Sequence, residues 1–131
     1  MRDYHLFESL LFHFCRTHQI GMIRPDAQMH YSIFVDMVEI RCFATGGYIC
    51  IYCDLSDIPT GYDQREINKQ IMHQSLLDGL QSSSTVSLNA QGELTLFQRL
   101  ELDNCQLHDF EASIEQLVAQ AEQYQEILQG A

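Results

Sequence analysis

The stretch that decides the fold is GELTLFQRLELDNCQLHDFEASIEQLVAQAEQYQEIL, Gly92 to Leu128. Leucines alternate with polar residues over 93–101, which is the period of a half-buried β-strand. Residues 106–129 predict one long amphipathic helix, because apolar side chains recur at steps of three and four. These side chains are Leu107, Phe110, Ile114, Leu117, Ala121, Tyr124 and Leu128, with Glu and Gln covering the rest. No residue pattern in this stretch indicates catalysis.

The same two periods predict six further elements upstream. They are a helix over 3–20, strands over 28–36, 37–43 and 48–55, a helix over 63–81 and a strand over 85–89. Thr45-Gly46-Gly47 predicts an antiparallel hairpin, and Asp63 and Glu66 have capping-box spacing. The fold class is therefore α+β, in the order α-β-β-β-α-β-β-α, with a twisted antiparallel sheet packed with helices.

Length and composition predict one domain over residues 1–131, since 131 residues leave no room for two and 46% are hydrophobic, enough for a core. Seven Lys and Arg against 18 Asp and Glu give a net charge of −11. Nucleic acids and anionic membrane surfaces attract positive charge, so neither is an expected partner. No stretch of about 18 apolar residues predicts a membrane span. Partners are expected to be neutral or basic, or held by apolar contact.

The cysteines and histidines predict neither a metal site nor a cofactor. Cys50 and Cys53 form a C-x-x-C, but on a strand they point to opposite faces with Cα atoms about 10 Å apart. We therefore expect both to be unpaired, and none of the six histidines forms the i, i+4 pair of a helical zinc site. Charged residues interrupt the first apolar run, so we expect no signal segment. We therefore also expect a cytoplasmic protein whose thiols are reduced.

The chain carries more apolar side chains than one core needs. Leu6 and Phe12 flank the main apolar face of the first helix, and several sheet residues fall out of phase with the core: Phe34, Phe43, Cys50, Tyr52 and Phe97. Individually, such residues either cap the core edge, fill a dimer seam or bind a partner. As a set they favour a binding surface, and the predicted partner-binding residues are Leu6, Phe12, Phe34, Phe43 and Phe97.

The second helix has two apolar groups on roughly opposite sides. Ile67 and Ile71 form one, and Met72, Leu76 and Leu80 belong to the other. A sheet can cover only one, so we expect a homodimer whose seam includes Met72, Leu76 and Leu80, with Ile67 and Ile71 inward. The opposite assignment is also open at this stage.

Apolar motifs follow one another in a distinctive order along nearly the whole chain. They are Leu10-Leu11-x-x-Phe14, Ile33-Phe34-Val35-Asp36, Val38-Glu39-Ile40, Tyr48 to Leu55 ending at Pro59, Leu94-x-Leu96-x-x-x-Leu100-x-Leu102-Asp103, then Phe110, Leu117, Ala121-Glu122 and Leu128. In order, spacing and acidic setting, the chain resembles a class I type III secretion chaperone of the Tir-chaperone group.

The resemblance implies a homodimer in the bacterial cytoplasm, with no metal, ATP or other cofactor. It would bind the N-terminal segment of a secreted effector in extended form and keep it secretion-competent. The alternative is a regulatory binding protein of the same fold that sequesters a regulator of secretion-gene expression. A third hypothesis, an enzyme using Cys15, Cys42 or Cys105 with a histidine, lacks a nucleophile elbow or phosphate loop, so we expect no enzymatic activity.

Overall fold

The structure, a computed structural model, describes residues 2–21, 23–57, 64–81, 84–88, 90 and 93–129. Its elements are α1 (Arg2–Thr17), β1 (Tyr31–Val35), β2 (Val38–Thr45), β3 (Tyr48–Asp57), α2 (Gln64–Gln81), β4 (Thr85–Leu88), β5 (Glu93–Glu101) and α3 (Leu107–Gln129). The strands form one antiparallel sheet in the order β1-β2-β3-β5-β4. The predicted α+β fold and element order are confirmed, while the proposed cap Asp63 lies outside the described residues.

Helices α1 and α3 cover one face of the sheet, and α2 packs against α3 and β4. Period-two alternation places the buried strand side chains on the covered face: Tyr31, Ile33, Ile40, Cys42, Ile49, Ile51, Cys53, Leu55, Leu94 and Leu96. The apolar stripes of the two helices meet them from above, so the core lies between the sheet and the α1–α3 pair. The other face of the sheet carries no helix in the described part of the chain.

Two tight turns connect the first three strands. Gly46 and Gly47 both have positive φ, 56° and 83°, between the paired residues Thr45 and Tyr48. This is the glycine hairpin that the sequence predicts. Asp36 and Met37 also have positive φ, 50° and 69°, and they join β1 to β2 as a second two-residue hairpin. Methionine rarely adopts this conformation, so the sequence gives no sign of this turn.

The first helix ends earlier than predicted, at Thr17 rather than at residue 20. Gln19 has a φ of 57°, and the N–H of Ile20 donates to the carbonyl of Cys15 at 2.8 Å. The N–H of Gln19 also donates to the carbonyl of Arg16 at 3.3 Å. These are the two bonds of a Schellman cap, which turns the chain and leaves Ile20 half-buried against the core.

The first strand starts later than predicted, at Tyr31. Met29, which the alternation assigned to the strand, lies in a turn with a φ of 65°. The Asp26 carboxylate builds this turn by accepting the N–H groups of Gln28 at 2.8 Å and His30 at 3.0 Å. Its second oxygen pairs with Arg41 of β2 at 2.6 Å. Residues 26–30 are thereby fastened to the sheet.

A buried polar network joins β5 to α3. The Gln98 side chain is almost fully buried; its amide donates to Ser84 at 2.6 Å and to Gln116 at 2.9 Å. Ser113 donates to the Gln98 carbonyl oxygen at 2.5 Å, and Ser84 also donates to Gln120. Buried polar groups need such partners. The expectation that glutamines only cover the solvent side of α3 is therefore wrong at Gln120, which is also buried.

Candidate partner-binding surfaces

The first surface lies where α1 crosses the edge strand β1. Leu6 and Phe12 are exposed on α1, and the Phe12 ring meets Tyr31 of β1 edge-on with centroids 6.2 Å apart. The Tyr31 hydroxyl donates to Glu8 at 3.0 Å and lies 3.0 Å from the Tyr4 hydroxyl. Burial raises the pKa of Tyr31, and both of these bonds add to the effect. This chain of contacts fixes α1 against the sheet edge.

Ile20 separates two cavities at the end of α1. One cavity, of about 410 Å³, is called the apolar cavity and is lined by Phe12, Cys15, Arg16, Ile20, Gly21 and Ile23. The other, of about 310 Å³, is called the acidic cavity. Its lining consists of five apolar residues, three carboxylates and one histidine among the described residues: Phe14, Ile20, Phe34, Val35, Ile114, Asp36, Glu111, Glu115 and His18. The Schellman cap positions Ile20, which lines both cavities.

The β1–β2 hairpin extends the apolar surface beside the acidic cavity. Phe34 of β1 is 68% exposed and Met37 at the turn is 95% exposed. Large apolar side chains that are exposed next to one another form a patch, and such patches mark interaction sites more often than isolated exposed residues do. The surface formed by α1, the two cavities and this hairpin is called the edge surface.

The open face of the sheet carries a second aromatic group. His30 stacks on Phe43, with ring centroids 4.2 Å apart and planes 6° from parallel. Its Nδ1 lies 2.9 Å from the Tyr52 hydroxyl, and the Arg41 guanidinium lies 5.5 Å from the Tyr52 ring centroid. Phe97 lies beside Tyr52 in the register of β3 and β5. Phe43 and Phe97 are both partly buried, and the rings of His30 and Tyr52 contact Phe43.

Four of the five predicted partner-binding residues fall into two groups. Leu6 and Phe12 belong to the helix side of the edge surface, whereas Phe43 and Phe97 lie on the open face of the sheet. Phe34 lies on the edge strand between them: it lines the acidic cavity, but its alternation with the buried Ile33 places its side chain on the same side of the sheet as Phe43. Sequence reasoning missed the cavities and the His30 stack, because both depend on turns that bring distant residues together.

Helix α2 presents the residues predicted for the dimer seam. Ile67 and Ile71 are buried, as predicted, while Met72, Leu76 and Leu80 are 72%, 63% and 76% exposed. The three exposed side chains form one stripe at steps of four, which is called the α2 stripe. The same helix also buries a carboxylate at Asp78, which accepts a hydrogen bond from Gln74 at 3.0 Å.

The five thiols are free, and their surroundings make them weak nucleophiles. Burial raises the pKa of Cys42 to about 12 and those of Cys53 and Cys105 to about 11. It also raises the pKa values of Cys15 and Cys50. Since the thiolate is the reactive form, a reactive cysteine would need the opposite shift. As predicted from their strand, Cys53 lies on the buried face and Cys50 on the open face.

Metal and membrane features can be assessed for the described residues alone. Among them, no group of three or more His, Cys, Asp or Glu side chains is placed to hold a metal ion. No helix in the described part of the chain has the length and apolar character needed to cross a bilayer.

An antiparallel five-stranded sheet, two helices on one face and a third helix with an exposed apolar stripe define a small α+β binding domain. A family model, the Tir chaperone protein (CesT) family, matches residues 9–125. The chain therefore belongs to the Tir chaperone protein (CesT) family. The resemblance seen in the sequence is confirmed. A search of curated proteins finds no significant match.

Solved structures show the same fold at low sequence identity. A chain of the HopA1–SchA chaperone–effector complex matches with a TM-score of 0.77 at 12% identity, covering 96% of this chain and 98% of that one. A chain of the ExsC–ExsE complex matches with a TM-score of 0.74 at 16% identity, covering 95% of each. A chain of the heterodimeric ExoU–SpcU complex from the type III secretion system of Pseudomonas aeruginosa gives 0.66 at 12% identity, covering 86% and 94%.

Proposed function

We propose that the protein is a type III secretion chaperone that binds the N-terminal segment of a secreted effector in extended form and keeps it secretion-competent. The observation that carries this proposal is the edge surface, where Phe12 and Phe34 stand exposed beside two cavities that Ile20 separates. Membership of the Tir chaperone protein family supports it. Chains of similar fold occur in a chaperone–effector complex and in the complex of ExoU with SpcU.

The geometry at β1 suits an extended client better than a folded one. β1 is an edge strand that pairs only with β2 among the described strands. An extended segment can therefore add main-chain hydrogen bonds there and place alternate side chains in the neighbouring cavities. Burying one large apolar side chain is worth about 1.5–3 kcal/mol, so two or three anchors contribute about 3–9 kcal/mol, to which the main-chain hydrogen bonds add.

The α2 stripe supports a homodimer as the working form. Its three exposed apolar residues lie on the side of α2 opposite to Ile67 and Ile71, which already face the core. A two-fold interface would bring two such stripes together and use each residue twice. We place the dimer in the bacterial cytoplasm, as a single domain over residues 1–131 that needs no enzymatic activity, and the raised thiol pKa values are in keeping with that role.

The experiment that tests this function is capture of the client from the bacterium that encodes the protein. The full chain, tagged at its C-terminus, is purified from cells and its partners are identified by mass spectrometry. Limited proteolysis of the complex should leave an N-terminal client segment that stays bound to the protein and is separated by cleavage from the rest of the client. A bound fragment that remains folded and protease-resistant after its removal from the protein would contradict the extended mode.

The same experiment separates the regulatory alternative. A secreted partner supports the chaperone function, whereas a partner that stays in the cell and controls secretion-gene expression supports sequestration. Both use the same edge surface, so secretion of the partner into the medium, measured with and without the protein, decides between them.

A further inference from the structure

The acidic cavity is lined by both apolar side chains and carboxylates. Phe14 and Ile114 form part of its apolar wall, while Asp36, Glu111 and Glu115 contribute three carboxylates. A plain hydrophobic pocket would place apolar or neutral groups at all of these positions. The adjoining apolar cavity, which has only one charged residue, Arg16, among its described lining, shows that contrast within the same surface.

The charges in the acidic cavity are incompletely balanced. Glu111 pairs with His18 at 2.5 Å, but Asp36 and Glu115 have no ion-pair or hydrogen-bond partner in the described part of the chain. Glu111 and Glu115 also lie one turn apart on α3, a spacing at which like charges repel. No lysine or arginine appears among the described lining residues. A positive group from outside would relieve this repulsion.

The lining of the acidic cavity matches a long basic side chain. Lysine and arginine carry an apolar stem of three or four carbons that packs along apolar walls while the charged head stays at the rim. A second copy of this chain fits less well, because it has a net charge of −11 and only seven Lys and Arg. An apolar side chain would fill the walls and leave the carboxylates unmatched.

We propose that the acidic cavity is a specificity subsite that receives one lysine or arginine side chain of the bound client segment. This inference rests on the proposed client-binding function and makes it more specific. Ile20 is a common wall of both cavities, so a client in one extended run fills both. The recognised pattern is a basic residue at a fixed spacing from an apolar residue.

Random dodecapeptides displayed on phage test the subsite without knowledge of the client. The full-length protein and two variants, Glu115→Lys and Glu122→Lys, are used for selection at 0.15 M salt. Both residues are exposed on α3 and both variants carry the same net charge, but Glu122 does not line the cavity. Asp36→Asn is a second cavity variant, since asparagine tolerates the positive φ at this turn.

The expected result is a motif with Lys or Arg at a fixed distance from an apolar residue. Glu115→Lys should lose the basic position or exchange it for Asp or Glu, while Glu122→Lys keeps the original motif. With one selected peptide, replacing the basic residue by Gln should weaken binding to the unmodified protein about three- to tenfold, and binding to Asp36→Asn by less.

Four results would overturn the inference. Apolar motifs without a basic position would overturn the subsite and leave client binding intact. Equal effects of Glu115→Lys and Glu122→Lys would reduce the preference to overall charge. A change of oligomeric state in Glu115→Lys would assign the cavity to a second copy. If the protein captures a client but selects no peptide, the subsite fails and the proposed function stands.

Discussion

Replacing Leu76 by Asp should separate the stability of the dimer from the stability of the protomer. Leu76 lies at the centre of the α2 stripe, between Met72 and Leu80, and is 63% exposed in the single chain. An exposed substitution of this kind changes protomer stability by only about 0.5 kcal/mol. In a two-fold interface, however, the same change buries two carboxylates without partners.

The expected loss in the dimer follows from that exposure. Full burial of a leucine is worth about 1.5–3 kcal/mol, so burying the exposed 63% is worth about 1–2 kcal/mol per copy. The two copies together lose about 2–4 kcal/mol of apolar burial, and each buried carboxylate adds a desolvation cost of several kcal/mol. A total above about 5 kcal/mol raises the dimer dissociation constant more than a thousandfold.

Sedimentation velocity at micromolar concentration measures this change directly. The unmodified protein should sediment at twice the chain mass of 15.1 kDa, and Leu76→Asp should sediment as a single chain. Gln70→Asp is the matched control, because it introduces the same charge. Gln70 is exposed on the same helix but lies off the α2 stripe. Urea unfolding, monitored by the circular dichroism signal of the helices, shows whether the variant protomer remains folded.

Two observations would refute the reasoning. An unmodified protein that sediments as a 15.1 kDa monomer would leave the α2 stripe without a second copy to cover it. A folded Leu76→Asp variant that remains fully dimeric would place the seam on another surface.

Three further predictions concern the client, the core and acid pH. Double replacement of Phe12 and Phe34 by Ser should weaken binding of a captured client at least tenfold, since each ring is worth about 1.5–3 kcal/mol when buried; calorimetry showing unchanged affinity would move the site elsewhere. Gln98→Leu breaks three buried hydrogen bonds and should lower the free energy of unfolding in urea by about 2–4 kcal/mol, whereas a loss below about 0.5 kcal/mol would mean that the network contributes nothing net. Folding lowers the pKa of Asp26, chiefly because its carboxylate accepts the His30 N–H and despite some opposing desolvation. The ionised carboxylate therefore contributes to stability above the ordinary aspartate pKa of about 3.9. This contribution is lost as pH falls through the lowered pKa. Asp26→Asn should therefore flatten the decline of the urea midpoint in that acid range, and parallel curves for both proteins would contradict it.

Most of the elements could be predicted because their apolar residues follow a strong period. The alternation of residues 93–101 and the three- and four-residue steps of α3 are local signals that the folded chain obeys. The residues at which elements begin and end were harder to predict. The sequence signals a positive φ most clearly with glycine, as at Gly46 and Gly47, but the cap of α1 uses Gln19 and the β1–β2 turn uses Asp36 and Met37.

The candidate site was predictable only in part. Exposed apolar residues could be found from their phase on α1 and β1, as for Phe12 and Phe34. The acidic cavity could not, because it joins residues from α1, the β1–β2 hairpin and α3, whose proximity depends on long-range packing. For the same reason, the pairing of Asp26 with Arg41 carries no local sequence signal. The phase of Gln98 with Leu94 and Leu96 indicates the buried face of β5 but not the partners of its side chain.

The aromatic residues of the open face already contact other side chains, which favours the edge surface over the open face as the proposed client site. His30 already stacks on Phe43, and Arg41 already lies over Tyr52, so a client on the open face would displace contacts that the chain makes with itself. Phe34, at 68% exposure, gives up nothing but water when it is covered. The net gain per aromatic ring is therefore larger at the edge surface, and the edge surface is also where an unpaired strand edge is available. We therefore propose that the first anchors of an extended client lie on α1 and β1.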